Sequence, residues 1–154
     1  MNGPSALHAR LEGVGLVHVD ARVLGFHLVA ESRFLTLTRG VFRGIRDGSI
    51  EAQGSSLSFY QLFCEPFRLG KAGQATEVAK LLSVYRGLEI VPVTPKIALQ
   101  AAQVQAQLGG SMSRAVQVAT GLVSGADIYL TEGSGLRRIA QMVVLNLEDY
   151  AGAE

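Results

Sequence analysis

Apolar positions fall into two periods along the chain. Met112, Ala115, Val116, Ala119, Leu122 and Val123 recur at spacings of three and four, which places one apolar stripe on a helix. Ser124-Gly125 ends that stripe, and Ala126, Ile128, Tyr129 and Leu130 follow as a short apolar run, the pattern of a strand buried on both faces. The same alternation extends backwards. Leu16, Val17 and Val19 predict a buried strand ending in Asp20, and residues 22–30 are apolar almost all round, as in a buried helix. Phe34, Leu37, Thr38, Val41, Phe42 and Ile45 give the cleanest helical period, closed by a turn at Asp47-Gly48. A strand is expected over Ser49 to Gln53, then a helix from Ser58 through Cys64, interrupted by Pro66 and Gly70.

Ala75, Val78, Ala79, Leu82 and Tyr85 line a further helix stopped by Gly87, and Leu88, Ile90, Val91 and Val93 a strand that contains Pro92. Ile97, Ala101, Val104 and Leu108 carry the next helix to Gly109-Gly110. Near the end, Leu136 to Ile139 predict a short helix and Met142 to Leu147 a last strand. Residues 1–13 read as a loose or partly helical lead-in, with the fold starting after them. Strands alternating with helices imply a parallel sheet covered on both faces, whose ligands bind beyond the carboxyl ends of the strands. The loop Thr131-Glu132-Gly133-Ser134 lies at such an end.

Composition narrows the function classes. A length of 154 residues fits one domain with a sizeable core, expected to span 1–154 with its centre in residues 16–147. Apolar residues make up 48% and charged ones 18%, an oily balance that favours a homodimer over a monomer. A net charge of +1 argues against a broad basic footprint for nucleic acid. The single cysteine, Cys64, excludes an internal disulfide and a cysteine-rich zinc site, and its apolar helix predicts a buried thiol. No window has the length to span a bilayer, and no basic segment leads into a long apolar run, so a cytoplasmic protein is expected.

Four short matches carry a resemblance: Asp20-Ala21-Arg22-Val23-Leu24, Ala119-Thr120, Gly125-Ala126-Asp127 and Leu130-Thr131. Together they resemble the PIN domain, the fold of metal-dependent ribonucleases that includes VapC-type toxins of toxin-antitoxin pairs. The resemblance implies a three-layer α/β/α sandwich around a central parallel sheet of about five strands. It also implies an acidic pocket at the carboxyl edge, where Asp20 keeps its place, while Gln61 and Arg114 stand where acids are usual. Glu132 follows Thr131, and Gly133 occupies the position commonly held by the last aspartate.

Magnesium and manganese need several hard oxygen ligands. One or two carboxylates beside an arginine hold such an ion poorly, so the expected site is a vestigial pocket of Asp20, Gln61, Arg114 and Glu132 without resident metal or catalytic residues. Arg114 falls in a helix first turn, where the dipole disfavours a cation, and is expected to reach Asp20 or Glu132 as an internal ion pair. Asp20 alternatively binds the first amides of the next helix. Ser58-Phe-Tyr-Gln61 has the form of a capping box, which gives Gln61 a structural role. Glu132 reads as a solvated loop acid, Asp127 as a partner of loop amides, and His27 as a packed side chain. The three histidines have no metal-binding spacing.

The leading expectation is a PIN-like protein that acts through protein or RNA binding, with an antitoxin-like partner. The alternative is a magnesium- or manganese-dependent ribonuclease that uses Asp20, Glu132 and possibly Glu65. For RNA, the compact basic candidates are Arg33, Arg39, Arg43 and Arg46, a run that usually marks a solvated face.

Overall fold

A computed structural model describes residues 2–28, 32–133 and 135–152. Five strands, β1 (Leu16–Val19), β2 (Glu51–Ser55), β3 (Leu88–Val91), β4 (Ile128–Thr131) and β5 (Val143–Asn146), form one sheet in the order β3-β2-β1-β4-β5. Every neighbouring pair is parallel. Seven helices accompany them among the described residues: α1 (Pro4–Leu11), α2 (Ala21–Leu28), α3 (Leu35–Asp47), α4 (Leu57–Arg68), α5 (Ala72–Ser83), α6 (Pro95–Leu108) and α7 (Met112–Val123).

The pleat divides the core in two. Val17, Val19, Ile128 and Leu130 face the cluster built with α1 to α5, whereas Tyr129 faces Val118 and Ala119 of α7 together with Ile97 and Val104 of α6. The result is the expected α/β/α sandwich with a five-stranded parallel sheet. β1 is the strand from which the order runs both ways, to β2 and to β4. The crevice beyond β1 and β4 is therefore the topological switch point of the sheet.

Several boundaries differ from expectation. The lead-in is a helix: Leu7 and Leu11 are fully buried, and α1 lies against α3. Its short, weakly amphipathic sequence hid this, because only two of its positions are core. β2 starts two residues later than predicted and is paired through Ser55. Pro66 does not end α4, which runs to Arg68; a proline there forfeits a single backbone hydrogen bond near the helix end. Cys64 is exposed rather than buried, and Met112 projects from α7 instead of joining its apolar stripe. Residues 136–139 form no helix, and Ile139 makes an isolated antiparallel bridge to Met142. The last two positions of the predicted 22–30 helix, and Ser134 of the predicted site loop, lie outside the described residues.

Other readings hold. Gly48, at φ +87°, closes α3 in the left-handed conformation. Asp127 accepts a hydrogen bond from the Leu16 N–H at 2.9 Å. Gly15 makes that contact possible, because its φ is +98° and a Cβ there would sit 2.1 Å from the Asp127 carboxylate. His27 stacks on Phe42 with ring centroids 3.9 Å apart. Arg39, Arg43 and Arg46 lie on an exposed face.

Candidate functional site: a charge-paired pocket at the carboxyl edge

Asp20 directly follows β1, Thr131 ends β4, and Arg114 sits in the first turn of α7, so the strand order alone brings three distant segments to the switch point. Asp20, Arg22, Gln61, Arg114, Tyr129, Thr131 and Glu132 line a pocket of about 150 Å³ there. All four residues of the expected vestigial site are thus brought together. Glu65 is not: it is exposed on α4, where it accepts a hydrogen bond from Arg68 Nε at 2.9 Å.

Each carboxylate in the pocket already has a partner. The Thr131 hydroxyl donates to Asp20 Oδ2 at 2.7 Å. Burial raises the Asp20 pKa, against the opposing effects of that hydrogen bond, the backbone N–H groups of Ala21 and Arg22, and the Arg22 charge. Glu132 is not the solvated acid that was expected. Its side chain is 11% exposed, and its Oε2 lies 3.2 Å from Arg22 Nε in an ion pair without hydrogen-bond alignment. Arg22, two residues after Asp20 and 60% exposed, rather than Arg114, is the cation that pairs with Glu132. The Arg114 guanidinium instead donates from Nη1 to the Gly135 carbonyl at 3.0 Å.

The capping box is absent. Ser56 is the residue before α4, and Ser58 is fully buried inside it. Ser58 and Gln61 instead accept from Gln117 Nε2 of α7, at 3.0 and 2.8 Å. Gln117 Oε1 faces His18 Nε2 at 2.8 Å, and Gln53 Nε2 lies 3.3 Å from His18 Nδ1. With these placements the imidazole is neutral, donates from Nε2 and accepts at Nδ1. A polar chain thus runs from β2 through β1 and α7 to Gln61 at the pocket wall. Sequence reasoning missed it, although a signal existed: His18, Gln53 and Gln117 are polar residues within elements read as buried, and such residues need partners.

Burial lowers the His18 pKa to about 4, with the hydrogen bond to Gln117 acting the other way. The unfolded chain then binds a proton that the folded chain refuses between pH 6.5 and 4. The His18 contribution is complete above pH 6.5 and is lost as pH falls to 4, an effect of about 3 kcal/mol. Asp20, with its raised pKa, acts with the opposite sign over its own range. Urea denaturation at pH 7 and pH 4.5 should show a loss of stability in the natural chain that is clearly smaller in His18→Gln.

Among the described residues, no three histidine, cysteine, aspartate or glutamate side chains gather closely enough to hold a metal ion. Two carboxylates are engaged by Thr131 and Arg22, and an amide and a guanidinium stand beside them.

No family model matches this sequence, and no curated protein matches it either. Solved structures do. A chain of the VapBC2 complex of Rickettsia felis, bound to a DNA fragment from its promoter, superposes with a TM-score of 0.68 at 11% identity, covering 85% of this chain and 98% of that one. The chain has the PIN fold of VapC-type proteins. DNA-bound VapBC from Salmonella typhimurium gives 0.67 at 13% identity, covering 87% and 99%. The VapC20 toxin of Mycobacterium tuberculosis, which cleaves the sarcin-ricin loop, gives 0.60 at 13%, covering 73% and 86%. Against this PIN fold, α1 and the Gln117 chain are features of the present sequence that the four short motifs did not announce. No helix among the described residues is long and apolar enough to cross a membrane.

Proposed function

We propose that this PIN-fold chain does not perform metal-dependent RNA cleavage and acts by binding a protein partner of antitoxin type. The observation that carries the reading is the pairing of Glu132 with Arg22, which leaves Asp20 as the one carboxylate in the pocket without a cation of its own. A two-carboxylate pocket with one acid neutralised lacks the ligand charge that a divalent ion needs for water activation. The ribonuclease alternative requires a third acid, and Glu65 stays outside the pocket.

A binding role has its own support. Gly25 and Leu28 of α2, Leu62, Phe63 and Pro66 of α4, and Ala75 and Val78 of α5 line an apolar groove of about 290 Å³. Tyr60, Phe67 and Leu69 are exposed on or just after α4. An apolar helix from a partner would bury such a surface, and a toxin-antitoxin complex from Klebsiella pneumoniae is among the structures that share this fold. A second copy of the chain, as the oily composition suggests, would complete the assembly.

The test is thermal unfolding with and without millimolar manganese, for the natural chain and Asp20→Asn, followed by an RNA cleavage assay. No stabilisation and no cleavage are expected. A ligand specific for the folded state must raise the melting temperature. A rise that Asp20→Asn abolishes, or cleavage that manganese stimulates, would overturn the reading.

A further inference from the structure

We propose that the outer face of α6 is a docking surface for a second copy of this chain, which meets it antiparallel across a two-fold axis. The inference gives a surface to the second copy that the composition suggests, and it stands apart from the reading of the carboxyl-edge pocket.

α6 is apolar on two sides. Ile97, Ala101 and Val104 face inward and pack with Val118 and Ala119 of α7. On the opposite side Pro95, Leu99, Ala102 and Ala106 repeat at spacings of four, three and four, the period of a helix–helix seam. All four are exposed, Leu99 at 68%. A helix at a protein surface ordinarily turns charge outward. Here Lys96 is the one charged residue of the fourteen, and the exposed side chains that flank the crest include Ala98, Gln103 and Gln105. The crest is fixed from its first turn, because the Thr94 hydroxyl accepts from the Ile97 N–H at 3.2 Å and Pro95 opens the helix.

Size selects the partner. In an antiparallel pair whose two-fold axis passes at the level of Gln100 and Ala101, Leu99 stands opposite Ala102 of the partner subunit, and Ala102 opposite the partner's Leu99. Each leucine then fills the space over a small side chain, and the alanines let the helix axes approach to about 8 Å. Pro95 meets the partner's Ala106 at either end of the contact.

Charge selects the same arrangement. α6 has no basic residue in its last turn, so the negative end of its dipole is unopposed within the helix. The antiparallel pair sets Lys96 beside that end of the second copy. The two lysines stay about 14 Å apart along the axes, beyond the screening length of about 8 Å at physiological salt. A charged partner would lose hydration along this crest without finding counter-charges, whereas an identical uncharged crest does not. α6 is about 21 Å long, and one helix pair buries less than the roughly 800 Å² per partner of a standard stable interface. The dimer is therefore reversible and depends on concentration.

The experiment is sedimentation velocity of the full chain from about 5 to about 500 µM. A dimer fraction that rises with concentration is expected. Leu99→Glu, at an exposed position, should keep the natural circular dichroism and raise the dissociation constant about tenfold or more. Leu81→Glu, on the comparably exposed face of α5 at 64%, should dimerise as the natural chain does. Orientation is read from disulfides in a Cys64→Ser background. Pro95→Cys mixed with Ala106→Cys should cross-link, and neither should cross-link alone. A monomer at the highest concentration would overturn the dimer and its surface together. A dimer that Leu99→Glu leaves unchanged, or self-cross-linking of Pro95→Cys, would overturn the α6 seam while leaving a second copy in place elsewhere.

Discussion

Leu7→Ala/Leu11→Ala is expected to leave the chain largely unfolded at room temperature. Both leucines are fully buried in the cluster that contains Val41, Phe42 and Ile45 of α3 and Leu147 beyond β5. Truncating one buried leucine to alanine costs about 2–5 kcal/mol, through lost transfer energy and the cavity left behind. Two such losses approach the whole stability of a domain, about 5–15 kcal/mol. The sites are one helical turn apart, so the cavities merge and the costs need not add in full. Urea denaturation followed by circular dichroism tests this, with Arg10→Ala, at an exposed position of the same helix, expected to be close to neutral. A double variant that unfolds at the natural urea midpoint would show that α1 is an appendage.

Gln117→Leu should have the next largest effect, about 2–5 kcal/mol of destabilisation. The side chain is similar in size and apolar, so little volume is lost. What is lost is the hub of three polar groups: His18 Nε2, Ser58 Oγ and Gln61 Oε1 all meet Gln117. Each buried group left without a partner costs about 1–3 kcal/mol, and some recover by small shifts toward one another or toward water in the pocket. A second readout separates this from simple loss of packing. With its acceptor gone, the His18 imidazole should change its ring nitrogen shifts in NMR, whereas a packing defect alone would leave the tautomer as it was.

The two variants mark where the sequence was legible and where it was not. The sheet and most helices follow from periodicity because their apolar stripes are long. Phe34 to Ile45 and Ala75 to Leu82 sit inside as read. α1 has only two buried positions in eight residues, too few to set a period against a polar background. Site residues were legible as positions: Asp20, Gln61, Arg114 and Glu132 do share one pocket. Their partners were not. Whether Glu132 meets Arg22 or Arg114 depends on side-chain direction at two helix starts, and spacing along the chain does not encode that. Gln61 shows the same limit, since a serine three residues before a glutamine fits a cap equally well when the helix begins two residues earlier.

The parallel strand order also dictates when the pocket can exist. The Asp20–Thr131 hydrogen bond joins residues 111 positions apart, and β1 meets β4 across the same span. During synthesis β1 and β2 can pair early, but one side of β1 stays open until β4 has left the ribosome. Long-range parallel pairing is slow because the loop must close before its contacts stabilise anything. The unpaired side of β1 is thus the segment of a nascent chain most in need of protection, and the pocket is among the last parts of the molecule to form.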